Sequence, residues 1–207
     1  DSLTYHLSIA ENLPQKPYAL PRIAPHLLQK VSTTHRGKRT KTTINLKLQE
    51  RINYIVKQQY NSLKQNEIYN ASVLVLDVHT RQVLAYIGNT PTDKAHQKDV
   101  DITDKPRSTG SILKPFLYTA MLDAGDLLPH TLVTDIPSQF GSYSPENFNK
   151  TYDGVVPASR ALSRSLNVPA VRMLQNFGLD RFHQYLKKLR LKDLKYNANY
   201  YGLSLIL

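Results

Sequence analysis

An apolar run that carries a lysine and a proline near its start constrains this chain more than any other stretch. Residues 112–122 are almost wholly apolar, interrupted by Lys114, Pro115 and a few small or polar side chains. Arg107-Ser108-Thr109-Gly110-Ser111 leads into them, and Gly110 lets the backbone approach closely. A stretch this apolar reads as a buried helix. If the helix opens at Ser111, Ser111 and Lys114 share one face, three positions apart. A hydroxyl is a poor nucleophile until a base takes its proton, and lysine is a base only as the free amine. Burial favours that form, each pKa unit being worth about 1.4 kcal/mol. Backbone N–H groups at a helix start point to where negative charge would develop. Pro115 conflicts with this start, because proline disfavours a helical residue before it and fits only the first helical turn. Such local conflicts concentrate at functional sites. Ser-x-x-Lys alone recurs by chance, so the remainder of the chain must supply its meaning.

A chain of 207 residues suffices for one domain, or a domain with an appendage, without covalent staples. It has no cysteine, which excludes disulfides and thiolate metal sites, and its seven histidines are scattered. We expect no metal and no cofactor. The formal net charge of +11 and pI near 9.7 favour anionic surroundings. No stretch reaches the ~18 apolar residues of a membrane span, and no signal-peptide pattern opens the chain. The start at Asp1 and the apolar close Gly202-Leu203-Ser204-Leu205-Ile206-Leu207 read as cut ends.

Residues 1–40, with Pro14, Pro17, Pro21 and Pro25, read as an extended connector holding one short helix over 26–31. The basic stretch 33–41 reads as a solvated loop. Leu48, Ile52, Ile55, Tyr60 and Leu63 recur at helical spacing behind Asn45, a plausible N-cap. Residues 71–78 and 82–88 read as a hairpin in the core of a sheet, with Asp77 as turn-former. A polar loop, 89–106, delivers the chain to Ser111, and Gly125 ends the helix beyond it. Residues 129–154 are turn-rich and contain Tyr143-Ser144-Pro145-Glu146-Asn147-Phe148; long loops of this kind usually line a site. Pro157 marks a helix start, a second helix follows with Pro169 in its first turn, and a third is capped by Asp180. Ser165-Leu166-Asn167 is then a polar corner between helices, for which capping alone is one sufficient reading.

Taken together, Ser111-x-x-Lys114, Ser165-x-Asn167 and the preceding hairpin resemble the penicilloyl-serine transferases, whose boxes are S-x-x-K, S-D-N and K-T-G. Arg107-Ser-Thr-Gly-Ser111-Ile-Leu-Lys114-Pro115-Phe116, Tyr143-Ser-Pro-Glu-Asn147 and Arg164-Ser165-Leu-Asn167-Val-Pro-Ala-Val-Arg-Met-Leu look like the transpeptidase domain of class A penicillin-binding proteins, the 1C type above all. Ala24-Pro25-His26 and Thr42-Thr43-Ile44-Asn45 through Gln49 resemble the region joining their glycosyltransferase and transpeptidase parts. Two features depart from the pattern: no K-[ST]-G box lies within 207 residues, and the usual turn glycine of the hairpin is Arg81.

The resemblance implies an α/β (α+β) fold, an antiparallel sheet with helices on both sides, truncated here. It divides the chain into a connector, 1–44, from a missing upstream glycosyltransferase domain, and the N-terminal part of the transpeptidase domain, 45–207. It implies Ser111 as nucleophile, Lys114 as acylation base, Ser165 as proton relay to the leaving amine, and Asn167 as the residue orienting Lys114 and the acyl side chain. Gly110, Tyr143 and Asn147 would contact substrate. The expected partners are peptidoglycan stem peptides, with β-lactam antibiotics as inhibitors and no nucleic acid, on the periplasmic or extracytoplasmic face of a membrane that anchors the parent. The segment alone would be acylated little, and would expose apolar sheet edge. A serine β-lactamase or D,D-carboxypeptidase of the same fold is one alternative. A non-catalytic basic protein that binds an anionic polymer is another, although no nucleic-acid module is present.

Overall fold

The structure, a computed structural model, describes residues 1–10 and 21–207. They form two compact units, Asp1–Lys105 and Pro106–Leu207. Residues on either side of position 44 lie in the same unit, where Gln49 and Asn53 donate to Ile23 O.

In the first unit, α1 (Ser2–Ala10) buries no residue and was not foreseen in the proline-rich connector. Pro14 and Pro17 lie outside the described residues. The short helix expected over 26–31 is α2 (Pro25–Thr34), with proline opening it. Next comes α3 (Leu46–Leu63), where Asn45 caps as expected: its Oδ1 accepts the Leu48 N–H at 3.0 Å. Strands β1 (Val73–Leu76) and β2 (Val83–Ile87) pair antiparallel. Asp77 is the turn-former, its Oδ1 accepting the N–H groups of His79 and Thr80 and the Thr80 hydroxyl. Arg81 takes the glycine-like conformation, φ +57°. The outer edge of β2 is covered: Asn45 N–H donates to Leu84 O, and the Gln49 amide brackets the Tyr86 backbone at 2.7 and 3.1 Å.

The second unit is built around α4 (Lys114–Asp123), preceded by a single 3₁₀ turn, Gly110–Leu113. The α-helix thus begins at Lys114 and not at Ser111, and the difference resolves the proline conflict. Pro115 falls in the first α-turn, where a missing N–H leaves no helical bond unmade. After α4 come β3 (Leu132–Asp135), inside the stretch read as turns, and β4 (Gly154–Pro157), which starts at its last residue; the two pair antiparallel. They were missed because each holds only two consecutive apolar residues, Leu132-Val133 and Val155-Val156, against the longer β-rich run around β1. Pro157 ends β4 and leads directly into α5 (Ala158–Ser163). Then follow α6 (Asn167–Phe177), with Pro169 in its first turn, α7 (Leu179–Lys188) and α8 (Ala198–Tyr201). Asp180 lies in the first turn of α7 and makes no capping bond; Gly178, at φ +98°, holds the N-cap position instead.

Helix α4 is buried along most of its length, through Leu117, Tyr118, Ala120 and Met121. It shares one core with Leu166, Val171 and Leu174 around α6 and with Phe182 and Leu186 of α7. The fold is mixed helix and antiparallel sheet, as the resemblance implied. Its strands lie in two separate two-stranded sheets, one in each unit. No helix of the described residues is long and apolar enough to cross a membrane.

Candidate active site

All seven residues singled out from the sequence lie in the second unit. The 3₁₀ turn sets the first pair. In such a turn residues three apart eclipse, and Ser111 and Lys114 stand at that spacing, although Ser111 is exposed and Lys114 buried. Gly110, at φ +52°, opens the turn in a conformation that other residues rarely take. Ser111 is exposed, and its hydroxyl has no hydrogen-bond partner among the described residues.

Lys114 is only 1% exposed, the core of α4 having carried its amine inward. Its Nζ donates to Asn167 Oδ1 at 2.6 Å, to the Ser165 carbonyl at 2.7 Å and to Ser165 Oγ at 3.3 Å. Three acceptors match the three protons of an ammonium. No carboxylate pairs with Lys114 among the described residues. Burial therefore acts unopposed and lowers its pKa from 10.5 to about 8. At pH 7.5 roughly one molecule in four would hold the free amine, against about one in a thousand for an unperturbed lysine.

The Ser165 corner has a definite backbone origin. Helix α5 ends in a Schellman motif: Ser165 N–H donates to Leu162 O at 2.9 Å, and Leu166 N–H to Ala161 O at 3.0 Å. Ser165 occupies the left-handed position usually given to glycine, at φ +54°. That conformation costs a non-glycine residue on the order of 1 kcal/mol, and here it leaves the Ser165 carbonyl and hydroxyl both within reach of Lys114. Two residues on, Asn167 starts α6. Its Oδ1 accepts from Lys114 while its Nδ2 donates to Glu146 O at 2.8 Å, which fixes the orientation of the amide. Neither Ser165 nor Asn167 caps α6, so capping does not account for them.

Asn147 does the capping. Its Oδ1 accepts the N–H groups of Asn167 and Val168 at 2.9 and 3.3 Å, and its Nδ2 donates to Asp135 Oδ1 and Thr151 O at 2.7 and 2.9 Å. Those four bonds use the whole hydrogen-bonding capacity of the amide. Asn147 is buried and has none left for a ligand. Tyr143 is half-buried beside the core and bridges to Phe140; burial raises its pKa. Asp135, fully buried, was missed by sequence reasoning. Its only signal was a lone acid ending the alternating run Leu132-Val133-Thr134-Asp135. Among the described residues no group of three or more His, Cys, Asp or Glu side chains is placed to hold a metal ion.

A buried amine of lowered pKa, one hydroxyl at 3.3 Å and an orienting amide are the parts that proton transfer needs, and Ser111 lies one 3₁₀ turn away. In comparison with known proteins, residues 71–198 match the family described as the penicillin binding protein transpeptidase domain. The chain belongs to that transpeptidase family. Its relatives are class A penicillin-binding proteins. Penicillin-binding protein 1C of Escherichia coli K12 is 32% identical over 192 residues, 92% of this chain and 25% of that protein. Penicillin-binding protein 1A of Vibrio cholerae is 33% identical over 129 residues, 59% of this chain and 15% of that one. The chain thus spans a quarter or less of these relatives' length. Among solved structures, penicillin-binding protein 1A of Haemophilus influenzae superposes with a TM-score of 0.57 at 26% identity, over 67% of this chain and 21% of the other. PonA1 of Mycobacterium tuberculosis in complex with penicillin V shares the fold, with a TM-score of 0.56 at 19% identity, over 81% of this chain and 44% of that one.

Proposed function

We propose that this chain carries the nucleophile and proton-transfer residues of a serine-type D,D-transpeptidase that cross-links peptidoglycan stem peptides. The observation that supports this most is the buried Lys114 amine, hydrogen-bonded to Ser165 and Asn167 and one 3₁₀ turn from the exposed Ser111.

In this reading the free amine of Lys114 takes the Ser111 hydroxyl proton as Oγ attacks the carbonyl carbon of the penultimate D-alanine. Negative charge gathers on the carbonyl oxygen, facing the Ser111 N–H; a second donor would come from the K-[ST]-G strand of the longer protein. The C–N bond to the last D-alanine then breaks. Its amine leaves with a proton passed from Lys114 through Ser165, and an ester on Ser111 remains. An amine of a neighbouring stem attacks that ester, the proton returns along the same path, and a cross-link forms. Asn167 holds Lys114 in place and offers its amide to the acyl side chain. A β-lactam enters at the first step and stays on Ser111. The site would work on the extracytoplasmic face of the membrane, where its substrate lies.

The test is intact-mass spectrometry of the full-length protein treated with a fluorescent penicillin. We expect one adduct on Ser111 and none on Ser111→Ala. A label at another residue overturns the reading.

A further inference from the structure

The site just described leaves one buried polar cluster without a role. Asp135 ends β3 wholly buried, and Asn147 is 2% exposed. One carboxylate oxygen of Asp135 accepts from Asn147 Nδ2 at 2.7 Å; the other accepts the Asp153 N–H at 3.0 Å. Asn147 in turn accepts the first two N–H groups of α6, one of them from Asn167 itself. On the other flank the Asp153 carboxylate pairs with Arg164, the residue just before Ser165. The loop from Asp135 to Asp153 thus grips the 165–167 corner from both sides.

We propose that Asp135 and Asn147 are positioning residues for acyl transfer, forming a buried bracket that holds the 165–167 corner, and with it the Lys114 amine, in register with Ser111. The inference rests on the transpeptidase reading above and deepens it. A carboxylate buried without a cation is costly, and apolar packing would serve stability as well or better. Of the bonds that repay the cost, the one to Asn147 leads on to the corner. Asn167 is the link: its backbone N–H is held by Asn147, and its side chain holds Lys114 at 2.6 Å. Arg164 and Asp153 are each about one-third exposed, so their pair contributes less than the buried bonds.

The experiment measures, in the full-length protein, the second-order rate of labelling by a fluorescent penicillin, its pH profile and the melting temperature. The variants are Asp135→Asn, Asn147→Asp and the two together. Asp135→Asn sets an amide N–H against a donor, and Asn147→Asp sets two carboxylates face to face. Each single change is expected to slow labelling about ten- to a hundredfold, the scale of small misplacements in active sites. Each should also move the pH midpoint upward, as water reaches Lys114. The double change restores the bond between positions 135 and 147 with donor and acceptor exchanged. It also places negative charge at the start of α6, where the helix dipole favours it. It should regain most of the lost rate and the original midpoint, and it decides the matter if a single variant does not fold. Single variants that melt earlier yet keep rate and midpoint overturn the bracket, as does a double variant that regains the melting temperature without the rate. Labelling of Ser111→Ala at the wild-type rate instead overturns the transpeptidase reading itself.

Discussion

At the scale of single residues, Lys114 carries the chemistry through where α4 puts it. Its folded pKa of about 8 lies below the unfolded 10.5. The amine acts as base only when unprotonated, so the rate of penicillin labelling should rise with pH through a midpoint near 8. A midpoint near 10 would mean that Lys114 is not buried in the working enzyme. The same difference enters stability. Between about pH 8 and 10.5 the unfolded chain holds more protons than the folded one, so folding stability due to Lys114 grows with pH across that window. Below pH 8 both states are protonated and the contribution is flat. Lys114→Met should remove this slope, read as the difference between the two proteins in denaturant melts at several pH values, and should abolish labelling. Ser165 gives the opposite trade. Ser165→Gly relieves a left-handed non-glycine residue and should stabilise by up to about 1 kcal/mol. It also removes the hydroxyl at 3.3 Å from Lys114, so labelling should fall. A variant that is both stabler and fully active would exclude Ser165 from proton transfer.

Among the elements, α3 is tied to the hairpin by a polar side chain as well as by its apolar stripe. Gln49 is fully buried, and its amide meets both the N–H and the C=O of Tyr86, as another strand would. Gln49→Leu keeps the volume but strands two buried backbone groups, and should cost roughly 2–4 kcal/mol. Chemical denaturation of the protein measures it; a loss below about 0.5 kcal/mol, half a typical net hydrogen bond, would show that water or another donor replaces the amide. Helix α4 follows the same logic in reverse. Its apolar surface sets where it must lie, and the 3₁₀ turn before it lets proline and lysine both be accommodated.

For the whole molecule, each unit has its own small sheet, and the positive charge divides almost evenly between the two. No single basic module emerges, which weighs against the reading as a binder of anionic polymers. The edge expected to be exposed is covered on β2 by Asn45 and Gln49. On β1, Leu74 and Leu76 remain exposed at 42% and 52%. Residues 1–207 expressed alone should therefore associate through β1, and Leu74→Lys should reduce that association without lowering the melting temperature. Light scattering of the two proteins checks it; equal scattering would mean that association runs through another surface.

Local patterns in the chain determined a good deal. The helix after Asn45, the hairpin with Asp77 in its turn, and the buried run that takes Lys114 inward are all legible, because periodicity and turn chemistry act between near neighbours. The spacing of Ser111 and Lys114 also singled out that pair. Tertiary structure alone decided the rest. Strand β3, with only Leu132-Val133 apolar, carries too little pattern to be read, whereas β1 of the same length lies within a β-rich run. The 3₁₀ start of α4 depends on how its core packs. The meeting of Lys114 with Ser165 and Asn167, across more than fifty residues, depends on a corner held by Asp135 and Asn147. Hydrogen bonds between distant segments leave no period in a sequence, since their geometry exists only once the chain has closed on itself.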